Sequence, residues 1–286
     1  MRLFWATVAV AALLLGVGVA AFAGRSLLRQ GETTPPPTQT APALANLRII
    51  FPEGFTRADM AARVAAVRRI AIQKRHVRPL LTREGYLLAS AQAKPPREFR
   101  TDWGGRSIEG FLFPATYDFT QFTRSAGLVH DQIAFFGREF AKVDLRYARS
   151  KNLTPYDVLK IASMIEKEAV APAERPLVAA VIYNRLHARM PLGIDATIRY
   201  GRHVPGNKPL KKSDIESSSP YNTRKRLGLP PTPISNPGLA SLRAAAHPAK
   251  VDYLYYVRKP DGVHHFFTAS EAAFCRKSLE YGYGGC

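Results

Sequence analysis

Apolar and polar positions alternate along the chain in a way that predicts short strands interspersed with helices. Residues 47–51 (LRIIF) have the composition of a strand. Apolar residues then recur at helical spacing over 57–68, after Thr56, which is a favourable N-terminal cap. Further helices are predicted over 127–150, 154–169, 175–190 and 239–246, and strands over 253–257 and 263–267 are predicted to form a hairpin. We therefore expect an α+β fold with a small antiparallel sheet.

The helix predicted over 154–169 (TPYDVLKIASMIEKEA) places two glutamates beside an apolar stripe. Thr154 is a good N-cap, and Pro155 suits the first helical position. At about 100° per residue, Glu166 and Glu168 flank one apolar face on opposite sides. That face holds Val158, Ala162, Ile165 and Ala169. A carboxyl group at such a margin is desolvated, which raises its pKa and suits it to general acid catalysis.

The two glutamates differ in the surface that they cover. Helical side chains lean towards the preceding turn, so Glu168 lies over Met164 and Ile165, whereas Glu166 lies over smaller side chains. We therefore predict that Glu168 transfers the proton and that Glu166 supports it. The alternative is that both are solvated residues at the helix edge.

The start of the chain predicts attachment to a membrane. Leu3 to Ala23 is an unbroken run of apolar and small residues, and it reaches the length of about 20 residues that a bilayer core requires. We predict a retained transmembrane anchor at 1–24 and a Pro/Thr-rich linker at 25–46. A signal peptide cleaved near 21–23 (AFA) is the alternative.

The formal net charge is +19, from 41 basic and 22 acidic residues. An excess of this size suggests a negatively charged binding partner. Nucleic acid, an anionic membrane surface and an acidic polymer outside the membrane are the three candidates. Because the basic residues are scattered and follow a predicted anchor, no nucleic-acid partner is expected.

The two cysteines, Cys275 and Cys286, lie close together near the C-terminus. In an exported protein they would form one disulfide, and two free thiols are the alternative. The spacing of Cys and His is not that of a metal site, so no metal is expected.

Several stretches in one order resemble the endolytic murein transglycosylases, the YceG-like family. They are EGFLFPATY (109–117), ASMIEKE (162–168), VIYNRL (181–186), YNT (221–223), GLPPTPI (228–234), AAAHP (244–248), YLYYV (253–257) and GVHHF (262–266). The resemblance runs from about residue 47 to about 278. It implies a small α/β region at 47–100 that keeps part of a LysM-like module. A catalytic domain at 101–286 would follow, with the catalytic helix packed on the small sheet.

The resemblance also implies an activity and a location. Members cleave peptidoglycan glycan strands internally, between N-acetylmuramic acid and N-acetylglucosamine, and leave a 1,6-anhydro ring. The family's catalytic glutamate matches Glu168, which would act as acid and then as base, with no metal or cofactor. The catalytic domain would be extracytoplasmic at the cell membrane, with peptidoglycan synthases as candidate partners.

Other candidate site residues lie outside the glutamate helix. Asn222 and Thr223 would bind sugar hydroxyls or N-acetyl groups and Tyr221 would stack on a sugar, although a rigid turn explains this segment equally well. Asp195 would orient substrate or pair with an arginine. Glu109 is expected to line the same cleft. His264 is a further candidate, and because side chains alternate along a strand, either it or His265 points inwards.

Two other functions remain open. A hydrolase acting with inversion would need a second carboxylate about 6.5–9.5 Å from the first, for which Asp195 and Glu216 are candidates. A non-catalytic peptidoglycan-binding scaffold for cell-wall synthesis enzymes would leave Glu168 without a chemical role.

Overall fold

The computed structural model describes residues 46–284, which lie within one compact unit. The predicted anchor at 1–24 and all but the last residue of the predicted linker lie outside the described residues. Cys286 does too, so the predicted pairing of Cys275 with Cys286 is not described. No helix within 46–284 is both long enough and apolar enough to cross a membrane.

Helices dominate the described residues, and four short strands form two antiparallel pairs. The strands are β1 (Leu47–Ile50), β2 (Thr116–Phe119), β3 (Tyr255–Arg258) and β4 (His265–Thr268). The helices are α1 (Arg57–Arg75), α2 (Arg83–Gln92), α3 (Arg100–Trp103), α4 (Ser125–Phe140), α5 (Arg146–Ser150), α6 (Pro155–Glu168), α7 (Arg175–His187), α8 (Asp195–Arg202), α9 (Lys212–Ile215), α10 (Leu239–Ala246) and α11 (Glu271–Glu280). The expected α+β class is confirmed.

The first sheet joins the beginning of the described chain to its middle. Leu47 of β1 pairs with Phe119 of β2, and both side chains are buried. Arg48 and Asp118 face outwards and form a cross-strand ion pair at 2.8 Å. This alternation of buried and exposed positions is the one expected for a strand with one face on the core.

The glutamate helix α6 lies in the centre of the core and packs chiefly against α10 and α7. Its N-terminus has the expected cap, since Thr154 Oγ1 accepts from the Asp157 N–H while Asp157 accepts from the Thr154 N–H. The β3–β4 hairpin meets the C-terminal end of α6 through Tyr256 and Glu168. The helix is therefore supported mainly by other helices, not by the small sheet that was expected, and the β3–β4 hairpin contributes only at its C-terminal end.

Several predicted bounds differ from the observed ones: α1 continues to Arg75 rather than ending at residue 68, and β4 begins at His265 rather than at residue 263. Two further differences have a local cause. The single helix expected over 127–150 is two helices, because Asp144 Oδ1 accepts from the Arg146 N–H and begins α5 separately. The first strand of the hairpin begins at Tyr255 rather than at Tyr253. The reason is that Asn184 Nδ2 donates to the carbonyl oxygens of Val251 and Tyr253, which places this segment against α7.

Candidate active site

Glu168 is the last residue of α6, and its carboxylate lies between the β3–β4 hairpin and the start of α8. The Tyr256 hydroxyl donates to Glu168 Oε2 at 3.3 Å. Arg258 Nη2 lies 3.5 Å from the backbone oxygen of Glu168. The backbone N–H of Ala196, in the first turn of α8, also donates to the carboxylate. Two elements, β3 and α8, therefore meet the carboxyl group that α6 carries.

The surroundings of Glu168 raise the pKa of its carboxyl group above the usual value. Burial is the largest cause, and the negative charge of Asp195 acts in the same direction. The Arg258 guanidinium and the hydrogen bonds from Tyr256 and Ala196 act against them, because they stabilise the carboxylate. Glu168 as a whole residue is still partly exposed, and its surroundings favour a carboxyl group that is able to hold a proton.

Tyr256 packs against a buried histidine that is hydrogen-bonded to a glutamate behind it. The His265 ring meets the Tyr256 ring edge-to-face, with centroids 5.3 Å apart. His265 Nδ1 lies 2.7 Å from Glu174 Oε2, and the His265 backbone N–H donates to Glu174 Oε1 at 2.9 Å. Glu174 belongs to the short turn that follows α6. The hairpin that carries Tyr256 is thus attached to the same segment of chain that carries Glu168.

Asp195 forms an ion pair with an arginine, as one of the two alternatives expected. Asp195 Oδ1 lies 2.7 Å from Arg224 Nε, and both side chains are nearly half exposed. Thr223, which precedes Arg224, holds this segment against the start of α8, which carries Asp195. Its hydroxyl accepts from the Ile194 N–H and lies 2.9 Å from Thr197 Oγ1. The ion pair is therefore held at the rim of the site.

The remaining residues of the 221–223 segment are engaged inside the protein. Asn222 is fully buried, and its Nδ2 donates to two backbone oxygens of the segment before it, those of Ile215 and Ser217. Tyr221 packs edge-to-face on Tyr200 at 5.2 Å, and its hydroxyl lies 2.8 Å from Thr232 Oγ1. These contacts are those of a rigid turn, and contact of the three side chains with sugar stays a prediction.

Glu109 is buried, and all of its contacts lie within the protein. Its carboxylate accepts from the Arg57 backbone N–H at 2.9 Å, from Asn236 Nδ2 at 2.7 Å and from the Tyr200 hydroxyl at 3.2 Å. Burial outweighs these donors and raises the pKa of Glu109 to about 7. The expected contact with substrate stays a prediction, and the geometry makes Glu109 a support for α8, which carries Tyr200.

Glu166 and His264 occupy different surroundings from Glu168. Glu166 Oε2 accepts from the Gly238 N–H at 3.0 Å, and Oε1 lies 3.8 Å from Arg175 Nη2, so this glutamate joins α6 to the start of α10. His264 is exposed, and its Nδ1 lies 3.0 Å from Asp261 Oδ2 within the hairpin turn. Of the two neighbouring histidines, His265 is therefore the one that points inwards.

Sequence reasoning missed three residues around Glu168, namely Tyr256, Arg258 and Glu174, and it named His265 only as the alternative to His264. Strand alternation would have placed Tyr256 and Arg258 on one face of β3, but it could not have indicated which face meets α6. Within residues 46–284, no group of His, Cys, Asp and Glu is arranged to hold a metal ion. The fold and the site together define an α+β protein in which the end of α6 carries a desolvated carboxyl group, that of Glu168, beside β3 and α8.

The chain belongs to the YceG-like family, as predicted, because that family's sequence profile matches residues 26–278. Two relatives carry the name endolytic murein transglycosylase. The Bacillus subtilis protein is 39% identical over 155 residues, which cover 54% of this chain and 43% of that protein. The Streptococcus pneumoniae R6 protein is 33% identical over 249 residues, which cover 80% of this chain and 43% of that protein. The matches thus span less than half the length of either relative.

A solved structure is similar over most of the chain. It is the 2.6 Å crystal structure of a YceG-like protein from Listeria monocytogenes, with a TM-score of 0.66 and 28% sequence identity. The match covers 82% of this chain and 76% of that one. This chain and the Listeria monocytogenes protein therefore share a fold over most of their length.

Proposed function

We propose that this protein is a lytic transglycosylase that cleaves peptidoglycan glycan strands internally, at the bond between N-acetylmuramic acid and N-acetylglucosamine. The observation that carries the proposal is Glu168, whose carboxyl group has a raised pKa and lies beside Tyr256 in a residue that is still partly exposed. The names of the two relatives support the reaction class.

The reaction needs one group that gives a proton and then takes one. Protonated Glu168 donates its proton to the glycosidic oxygen as the bond to C1 of N-acetylmuramic acid breaks. The resulting carboxylate takes the proton from the C6 hydroxyl of the same sugar while O6 bonds to C1. The products are a 1,6-anhydro end and a free hydroxyl on the leaving sugar, and Glu168 returns to its protonated form without consuming water.

The groups around Glu168 have different parts in this cycle. Burial and the charge of Asp195 favour the protonated form that begins it. Tyr256 and Arg258 stabilise the carboxylate that forms midway. A carboxyl group under these opposing influences suits both proton transfers, because some neighbours favour its protonated form and others favour its carboxylate.

We assign the other predicted residues to support around this centre. Asn222, Thr223 and Tyr221 keep the turn rigid, and Thr223 holds the Asp195–Arg224 pair. That exposed pair is the part of the rim that we assign to binding the substrate's polar groups. Glu109 and Glu166 position helices.

We also propose that the protein acts outside the cytoplasm, attached to the cell membrane by residues 1–24. The linker at 25–46 would lead to a small region at 47–100 that keeps part of a LysM-like module. Such an arrangement would place the enzyme beside newly made glycan and the synthases that produce it.

Product analysis tests the proposal. Full-length protein is incubated with purified peptidoglycan and with nascent, lipid-linked glycan, and the released ends are identified. The wild type should give anhydro ends, whereas Glu168→Gln should give none, because the amide cannot transfer the proton. Glu98→Gln, a change of the same type at an exposed residue, should behave like the wild type.

The other outcomes distinguish the two alternatives. Reducing ends from the wild type would indicate a hydrolase, for which the charge of Asp195 near Glu168 is the supporting observation. Binding to glycan without cleavage of either substrate would favour a non-catalytic scaffold.

A further inference from the structure

Exposed apolar side chains lie beside arginines on one part of the described surface. Leu80 and Phe122 are 52% and 61% exposed. Their segments are in contact, since the Leu80 N–H donates to Gln121 O at 2.8 Å. Exposed arginines lie on the same two segments. The set, which we call the Leu80–Phe122 patch, consists of Arg78, Leu80, Arg83, Phe122 and Arg124.

The patch lies at the edge of the sheet where the chain enters the described unit. Leu47, the first residue of β1, pairs with Phe119, and the chain reaches Phe122 three residues later. The sequence before Leu47 contains the apolar run 3–23 and the predicted linker. The chain therefore enters the described unit on the side that carries the patch.

We propose that the Leu80–Phe122 patch docks on the anionic headgroup surface of the membrane. The proposal rests on the membrane attachment proposed above, and it is independent of the catalytic role of Glu168. An anionic bilayer attracts arginines near its surface and accepts leucine and phenylalanine at the boundary between headgroups and acyl chains. A soluble polyanion would account for the arginines but not for the two exposed apolar side chains.

The acidic neighbours leave the patch positive. Glu84 is exposed next to Arg83. Asp118, on β2, is paired with Arg48 at 2.8 Å and contributes no net charge with it. Three arginines against one unpaired glutamate give the complementarity that an anionic surface requires. The anionic membrane surface would thus account for part of the large positive charge of the chain.

Vesicle flotation followed by hydrogen–deuterium exchange tests the proposal on the full-length protein. The vesicles contain phosphatidylcholine alone or phosphatidylcholine with phosphatidylglycerol. Docking predicts slower exchange in residues 76–83 and 120–125 on the anionic vesicles than on the neutral ones. Each arginine replaced by glutamine at positions 78, 83 or 124 should lower the docked-to-undocked ratio about five-fold.

Matched variants separate docking through the patch from the general effect of removing an exposed apolar side chain. Leu80→Ser with Phe122→Ser should abolish the protection, whereas Leu279→Ser, at a residue that is 60% exposed on α11, should leave it unchanged. Inorganic polyphosphate serves as the soluble anion. Protection by polyphosphate equal to that by anionic vesicles would overturn the proposal, because the patch would then be a polyanion site.

The remaining outcomes separate this proposal from the proposed anchor. Flotation with both kinds of vesicle but no lipid-dependent protection would overturn docking and leave the anchor in place. Flotation with anionic vesicles alone, lost in the double serine variant, would support docking and contradict the anchor. Failure to float with either kind would contradict both.

Discussion

Glu109 should make the protein less stable as the pH rises, which is unusual for a carboxyl group with three donors around it. Folding buries Glu109 and raises its pKa from 4.5 to about 7. The folded protein therefore holds this proton more tightly than the unfolded chain does. The contribution to stability is fully present below pH 4.5 and is lost as the pH rises to about 7.

The size of the effect follows from the two pKa values. The difference between 4.5 and about 7, at about 1.36 kcal/mol for each pH unit, lowers the free energy of unfolding by about 3 kcal/mol. Glu109→Gln should remove this dependence, because a neutral amide resembles the protonated acid. Its oxygen can accept from Asn236, and its nitrogen can donate to the Tyr200 hydroxyl, which is able to accept.

Denaturant unfolding at several pH values between 4 and 8 measures the effect as a difference between wild type and variant. As the pH rises through this range, the free energy of unfolding of the variant should increase by about 3 kcal/mol relative to that of the wild type. Most of this change should occur between pH 4.5 and about 7. Glu98→Gln, at an exposed position, should follow the wild type. A difference that stays constant with pH would refute the reasoning, since it would mean that the hydrogen bonds to Glu109 offset its burial.

Three further predictions concern the site and its support. Tyr256→Phe removes a donor that stabilises the Glu168 carboxylate, so the pKa of Glu168 should rise and the fall of kcat/KM at high pH should move to higher pH. Asp195→Asn removes a negative charge, so the same fall should move to lower pH; an unmoved profile in both variants would exclude Glu168 as the titrating acid. Gly110→Ala should destabilise the protein by more than about 1 kcal/mol in denaturant unfolding, because Gly110 has φ +93° and an added Cβ would lie 2.7 Å from Pro233. Unchanged stability would mean that Pro233 moves away without cost.

Local sequence signals were sufficient for the elements that depend on neighbouring residues. Thr154 and the apolar stripe after it predicted α6, and the helix at 239–246 was predicted with the bounds that the structure has. The helical spacing also favoured Glu168 over Glu166, and the two glutamates do lie in different surroundings. These predictions needed only helix geometry and capping.

Contacts between distant segments could not be predicted from local patterns. Nothing near Tyr256 in the sequence indicates that its hydroxyl meets a carboxylate 88 positions away. The pairing of His265 with Glu174 likewise depends on how the hairpin folds back over the turn after α6. The YNT segment had residues suited both to sugar binding and to a turn, and only its burial reveals that its side chains are used internally.

Helix α8 connects two carboxyl groups whose pKa values are raised by burial, those of Glu168 and Glu109. Ala196, in its first turn, donates its N–H to Glu168, and Tyr200, one turn later, donates its hydroxyl to Glu109. Four residues of helix separate these contacts, or about 6 Å along the axis, so the two ends move together. A change that loosens Glu109 would therefore displace a donor from Glu168 without touching substrate. We therefore predict that Glu109 acts on the surroundings of Glu168 through the position of α8, which carries Tyr200.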